Sequence, residues 1–139
     1  MARFLVIDDD ATIREMIGLT LEGAGHDVTA AACGQEGLAL FRAYPSDVVI
    51  TDLLMPGASI ASVAELRHEF PKVPIIVVSG MAPQDAENGG VTRVLSPRFT
   101  LPKPFRLTEF LTIIDQILQE ENLPIPPRQD SLNPFSRTC

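Results

Sequence analysis

Residues 48–57 read VVITDLLMPG, and the reading of this stretch decides the fold. The continuous apolar run Val48, Val49 and Ile50 shows no polar alternation, which marks a strand buried on both faces in a parallel sheet. The run reaches Asp52 and then the turn signal Met55-Pro56-Gly57. A carboxylate therefore stands at a strand's carboxyl end. In open α/β sheets the ligand crevice lies outside those ends, so Asp52 is either a site residue or a solvated loop residue. The other strand ends bear on that choice. They carry Asp8-Asp9-Asp10 after Phe4 to Ile7, Ser79-Gly80 after Ile75 to Val78, and Lys103-Pro104 after a fourth short run.

Taken in order, apolar runs alternate with segments of helical period, the pattern of βαβ units. Strands are expected at Arg3 to Ile7, Val28 to Ala31, Val48 to Asp52, Val73 to Ser79 and Phe99 to Pro102. Pro102 cannot donate to a ladder, so the last of these should be an edge strand. Helix one should run from about Thr12, with Ile13, Met16, Ile17 and Leu21 on its inner face and Gly23 and Gly25 at its end. Helix two spans about Gly34 to Ala43, with Leu38, Leu40 and Phe41 inward, stopped ahead of Pro45. Helix three spans Ala61 to Phe70 on Val63, Leu66 and Phe70. From Met81 to Arg98 the pattern is broken by Pro83, Gly89-Gly90 and Pro97, which leaves room for a short fourth helix and suggests mobility. A fifth helix runs from about Leu107 to Glu121, with Phe110, Ile113, Ile114 and Ile117 inward.

Beyond Asn122 the prolines 124, 126, 127 and 134 and the lack of core residues indicate an extended tail or linker, where an output domain would begin if the polypeptide is a fragment. Residues 1–121 form one domain and 122–139 the tail. At 139 residues, 45% hydrophobic and 21% charged, the chain has the composition of one soluble globular domain. Its net charge of -7 argues against direct contact with a nucleic acid backbone. Cys33 and Cys139 lack pairing or metal-ligand spacing, which suits a reducing compartment. The run from Phe4 to Ile7 is too short for a signal peptide core or a spanning helix, so no membrane insertion and a cytoplasmic location are expected. No dinucleotide or Walker-type loop occurs.

With Asp8-Asp9, Asp52, Ser79-Gly80 and Lys103-Pro104 in this order at successive strand ends, residues 3 to about 120 resemble the receiver domain of response regulators, the CheY-like family of two-component signalling. The resemblance implies a doubly wound, flavodoxin-like sheet of five parallel strands in order 2-1-3-4-5, flanked by five helices. It also implies a phosphoacceptor switch rather than a turnover enzyme. Asp52 would accept a phosphoryl group from a histidine kinase or phosphotransfer protein, with Lys103 as countercharge and the Ser79 hydroxyl donating to a phosphoryl oxygen. Three neighbouring carboxylates repel one another unless a hard divalent cation neutralises them, and Mg2+ suits an oxygen-only site. Asp9 and Asp52 would be ligands, with Asp8 acting mainly through a bound water and the Leu54 backbone carbonyl completing the set. Gly80, Leu54 and Met81 would govern access to the phosphoryl group; Leu54 and Met81 are apolar, which implies slow self-dephosphorylation. A cis Lys103-Pro104 bond is expected.

The chain departs from the family at the switch. The usual aromatic position, three residues before the lysine, is Thr100, with Phe99 one place early, and the Gly-Ala pair ahead of that strand is missing. Ser79, Phe99 and Thr100 are the switch candidates, and Phe99 or the 81–98 segment would substitute for the usual element on the face formed by the fourth and fifth helices. A downstream protein partner is implied, and a homodimer is compatible with the pattern. Two rival readings stand beside this one. Asp8-Asp9-Asp10-Ala11-Thr12 fits the D-x-D-x-T loop of haloacid-dehalogenase-like phosphatases, with Asp8 as nucleophile and Asp10 as acid. That reading lacks a later acidic pair for Mg2+ and leaves Asp52 idle. A pseudo-receiver that only binds partners also fits the fold. Asp10 itself reads equally well as a plain helix cap.

Overall fold

A computed structural model of the chain describes residues 2–53, 57–80, 94–121 and 123. Five parallel strands form one sheet: β1 (Arg3–Ile7), β2 (Asp27–Ala31), β3 (Val48–Thr51), β4 (Ile75–Ser79) and β5 (Phe99–Pro102), in the order β2-β1-β3-β4-β5. Among the described residues four helices accompany them: α1 (Ala11–Gly23), α2 (Gly34–Ala43), α3 (Gly57–Glu69) and α4 (Leu107–Glu120). The expected order and the edge position of β5 are found. The fourth expected helix, within 81–98, falls largely outside the described residues, as does the tail from 124.

The strict alternation of side chains along each strand divides the core into two layers. Phe4, Val6, Val48, Ile50, Ile76, Val78 and Leu101 face one way, against Ile17 and Leu21 of α1 and Phe110, Ile114 and Ile117 of α4. Leu5, Ile7, Val49, Ile75 and Val77 face the other way, against Leu38 and Phe41 of α2 and Val63 and Leu66 of α3. Because both faces are covered, the central strands read as unbroken apolar runs.

Element ends follow local chemistry. The Asp10 side chain accepts from the backbone N–H groups of Thr12 (2.9 Å) and Ile13 (3.3 Å), capping α1. Gly25, at φ 94°, takes the left-handed turn that ends the same helix, while Gly23 is still helical. β4 begins at Ile75 rather than Val73, because the Val73 N–H turns back to the Phe70 carbonyl. α3 begins at Gly57, one turn earlier than its apolar spacing indicates, because the first inward residue of a helix need not lie in its first turn. Leu95 is fully buried, and its carbonyl accepts from Arg67 Nε at 2.7 Å. Arg98 then pairs with Glu120 (3.1 Å) and Glu121 (2.6 Å), tying the entrance of β5 to the end of α4.

The contact between α2 and α3 depends on a missing side chain. A Cβ at Gly34 would lie 1.9 Å from the Ser59 carbonyl oxygen, a backbone atom that cannot yield without moving α3. Gly34→Ala is expected to destabilise the protein by about 1 to 3 kcal/mol, the range for overpacking. Gly18, inside α1, meets nothing nearer than Val28 Cγ1 at 3.8 Å, so Gly18→Ala should stabilise by up to about 1 kcal/mol through helix propensity. Urea unfolding of both variants checks the opposite signs.

Candidate phosphoacceptor and cation site

The register of the sheet builds the site. Ile7 of β1 lies opposite Thr51 of β3, so the next residues, Asp8 and Asp52, emerge side by side where the strand order reverses. Each is held by one hydrogen bond that extends the ladder past the strand: Asp52 N–H to the Ile7 carbonyl and Asp8 N–H to the Ala31 carbonyl, both at 3.1 Å. On the far side, the Lys103 N–H donates to the Ser79 carbonyl at 2.8 Å, and the Lys103-Pro104 bond is cis as expected. Rigid strand ends, rather than loops, therefore position these groups.

Lys103 Nζ donates to Asp8 Oδ2 and to Asp52 Oδ2, each at 3.0 Å. Asp8, Asp52 and Ser79 are 2%, 4% and 2% exposed, whereas Asp9 faces solvent. Carboxylate oxygens of Asp8, Asp9 and Asp52 lie within 4.8 Å of one another. Three carboxylates thus face one ammonium, an excess of two negative charges. The electrostatics record that imbalance. Burial raises the Asp8 carboxyl above its ordinary value; the Asp10 N–H (2.9 Å) and Lys103 oppose the rise, and the neighbouring charge of Asp52 adds to it. Burial alone would lower the Lys103 ammonium, but hydrogen bonds and charges from both carboxylates outweigh it and hold Lys103 above its ordinary value. One ammonium serving two carboxylates is itself over-compensated, and it leaves Asp8 under-compensated.

An all-oxygen donor set with this excess charge fits a hard divalent cation such as Mg2+. The Leu54 carbonyl, expected to share in such a site, lies outside the described residues, as does Met81. Gly80 is described and exposed. Ser79 ends β4 in register with Pro102, directly beside Lys103. Of the two aromatic-switch candidates, Thr100 pairs with Val77 and so shares a sheet face with Ser79, while Phe99 pairs with Ile76 and packs into the opposite layer with α4.

The Asp10 side chain caps α1, the plain role that the sequence also offered for it. One contact was not anticipated. Arg14 Nη1 donates to the Asp8 carbonyl at 2.7 Å, bracing the peptide that joins the two leading acids. The available signal was a long cation one helical turn past the cap, which without coordinates is indistinguishable from a solvated residue.

The response regulator receiver domain profile matches residues 4–115. The chain belongs to the response regulator receiver family. Its likeness to the DNA-binding transcriptional regulator NtrC of Klebsiella pneumoniae is 28% identity over 130 residues, taking in 92% of this chain and 27% of NtrC. The chain thus spans about a quarter of the length of that relative. Among solved structures, CheY4 of Vibrio cholerae shares 30% identity at a TM-score of 0.75, covering 85% of this chain and 99% of CheY4. TrrA of Thermotoga maritima, solved in complex with Mg2+ and BeF, shares 27% identity at a TM-score of 0.74, with 85% of this chain and 100% of TrrA covered. As a receiver domain the chain is a two-component signalling switch. No helix among the described residues is long and apolar enough to cross a membrane.

Proposed function

We propose that Asp52 is the phosphoacceptor of a two-component relay and that Asp8, Asp9 and Asp52, with the Leu54 carbonyl, hold Mg2+ beside it. The observation that carries this reading is the sharing of Lys103 between two buried carboxylates whose partner Asp9 lies within ligand distance. An Asp52 carboxylate oxygen attacks phosphorus in line as the bond to the donor, a phosphohistidine nitrogen or an acyl oxygen, breaks. The product is an acyl phosphate. Lys103 keeps its proton throughout and neutralises charge on the transferred group, and the Ser79 hydroxyl donates to one of its oxygens. The cation, when bound, supplies charge neutralisation for the three carboxylates and for phosphoryl oxygens. Asp8 remains a neighbour held by Lys103 and the Asp10 N–H.

The donor on this reading is a histidine kinase or phosphotransfer protein, and the phosphorylated chain engages a downstream protein partner. Residues 1–121 act as the receiver, with 122–139 as tail or linker. Thr100, on the sheet face it shares with Ser79, and the adjoining 81–98 segment relay the change; the packed position of Phe99 suits it less well to that role. Incubation with acetyl phosphate and Mg2+, followed by mapping of the modified residue, tests the assignment. Phosphoryl on Asp52 is expected; label on Asp8 would restore the phosphatase reading, and no label at all would favour a pseudo-receiver.

Cation binding has a thermodynamic signature of its own. Mg2+ at a hundredfold excess over its Kd should raise the unfolding free energy by about 2.7 kcal/mol, and Asp9→Asn should lose most of that gain. A proton on Asp8 competes with the cation, and burial already raises the pKa of Asp8, so Mg2+ affinity should weaken as pH falls from neutral into the mildly acidic range. Melting curves with and without Mg2+ at both pH values measure the two effects.

A further inference from the structure

We infer that Arg14 is a positioning residue for the divalent cation, acting through the Asp8–Asp9 peptide; the inference rests on the cation site proposed above. Asp9 is the one exposed member of the acidic trio, so packing does little to hold it. Its direction is set by the backbone it leaves, and three contacts fix that backbone. The Asp8 N–H donates to the Ala31 carbonyl, the Asp8 carboxylate accepts from the Asp10 N–H, and the Asp8 carbonyl accepts from Arg14 Nη1 at 2.7 Å. The first two act on either side of the Asp8–Asp9 peptide, whereas Arg14 grips the peptide itself. Rotation of that peptide would swing the Asp9 carboxylate away from Asp52.

Arg14 reaches this carbonyl from the second turn of α1, and its half-buried side chain lies along a cleft of about 370 Å3 between α1 and β2, beside Glu15 and Glu22. The side chain is not part of either core layer, so shortening it leaves the packing in place.

Charge and geometry make opposite predictions, which isolates the role. A guanidinium this close to the acids repels a cation, so if Arg14 acted only through its charge, its removal would tighten Mg2+ binding. If Arg14 orients the peptide, its removal weakens binding, by the roughly 10- to 100-fold typical of residues that orient metal ligands. The test is Mg2+ titration of the full 139-residue chain by calorimetry, for wild type, Arg14→Gln, Arg14→Lys and Asp9→Asn. Arg14→Gln is expected to raise Kd by about tenfold, and Arg14→Lys, which keeps one donor within reach of the carbonyl, should show a smaller loss in the same direction. An unchanged or lower Kd in Arg14→Gln overturns the inference. Should that variant not fold, Arg14→Met, which also removes the donor, decides in its place, and wild-type affinity there overturns the inference equally. A wild type that binds no Mg2+ removes the cation site itself, whereas wild-type binding abolished in Asp9→Asn but untouched in Arg14→Gln removes only the role of Arg14.

Discussion

Asp52→Asn is expected to abolish phosphoryl incorporation from acetyl phosphate while leaving the protein folded. The asparagine oxygen can still accept from Lys103 Nζ, which now sits 3.0 Å from Asp52 Oδ2, so the local geometry survives. What disappears is the charged oxygen that attacks phosphorus, and an amide does not form an acyl phosphate. The variant also removes one of three crowded negative charges, so without metal it should be no less stable than wild type, which separates lost chemistry from lost fold. Intact mass before and after incubation reads the result. A phosphoryl gain that persists in Asp52→Asn would show that the acceptor lies elsewhere.

Lys103→Met has the second large effect, and it acts on stability as well as transfer. The substitution leaves two carboxylates, each within a few per cent of full burial, without their shared ammonium. Breaking a buried pair from one side typically costs about 3 to 5 kcal/mol, and the lower end applies here because protonation of a carboxylate offers relief. The pH dependence follows from the signs. In the wild type, the folded-state pKa of Lys103 is raised above its ordinary 10.5, so the stability it contributes is fully present below that value and is lost as pH climbs through the raised one. In the variant Asp8 loses the ammonium that opposes its rise, so its pKa climbs further and the stability deficit should shrink as pH falls and Asp8 protonates. Urea unfolding of both proteins at neutral and acidic pH measures the difference; a deficit that grows on acidification would contradict the shared-ammonium account. Phosphoryl transfer should fall sharply in the same variant even at saturating Mg2+, since the fixed positive charge facing the transferred group is gone.

Residues 3 to 121 carried much of this in their order alone. Unbroken apolar runs at Phe4–Ile7, Val48–Ile50 and Ile75–Val78 require burial on both faces, and helical spacing between them requires crossovers, so a parallel sheet with helices on both sides follows from local patterning. Asp8, Asp9, Asp52, Ser79 and Lys103 were legible for the same reason: each stands where an apolar run stops, and strand ends in such a sheet face one crevice. Element boundaries were less so, because the starts of α3 and β4 depend on single turn hydrogen bonds and on where a helix opens relative to its first inward residue.

Tertiary structure alone decided the rest. That one ammonium bridges Asp8 and Asp52, that Phe99 packs away from Ser79 while Thr100 shares its face, and that Arg14 grips the Asp8 carbonyl all depend on strand register and helix placement. Register is a relation between segments tens of residues apart, set by the summed packing of both core layers. No single stretch of the chain encodes it, so the sequence determines which groups meet at the edge of the sheet, and only the folded molecule determines which of them touch.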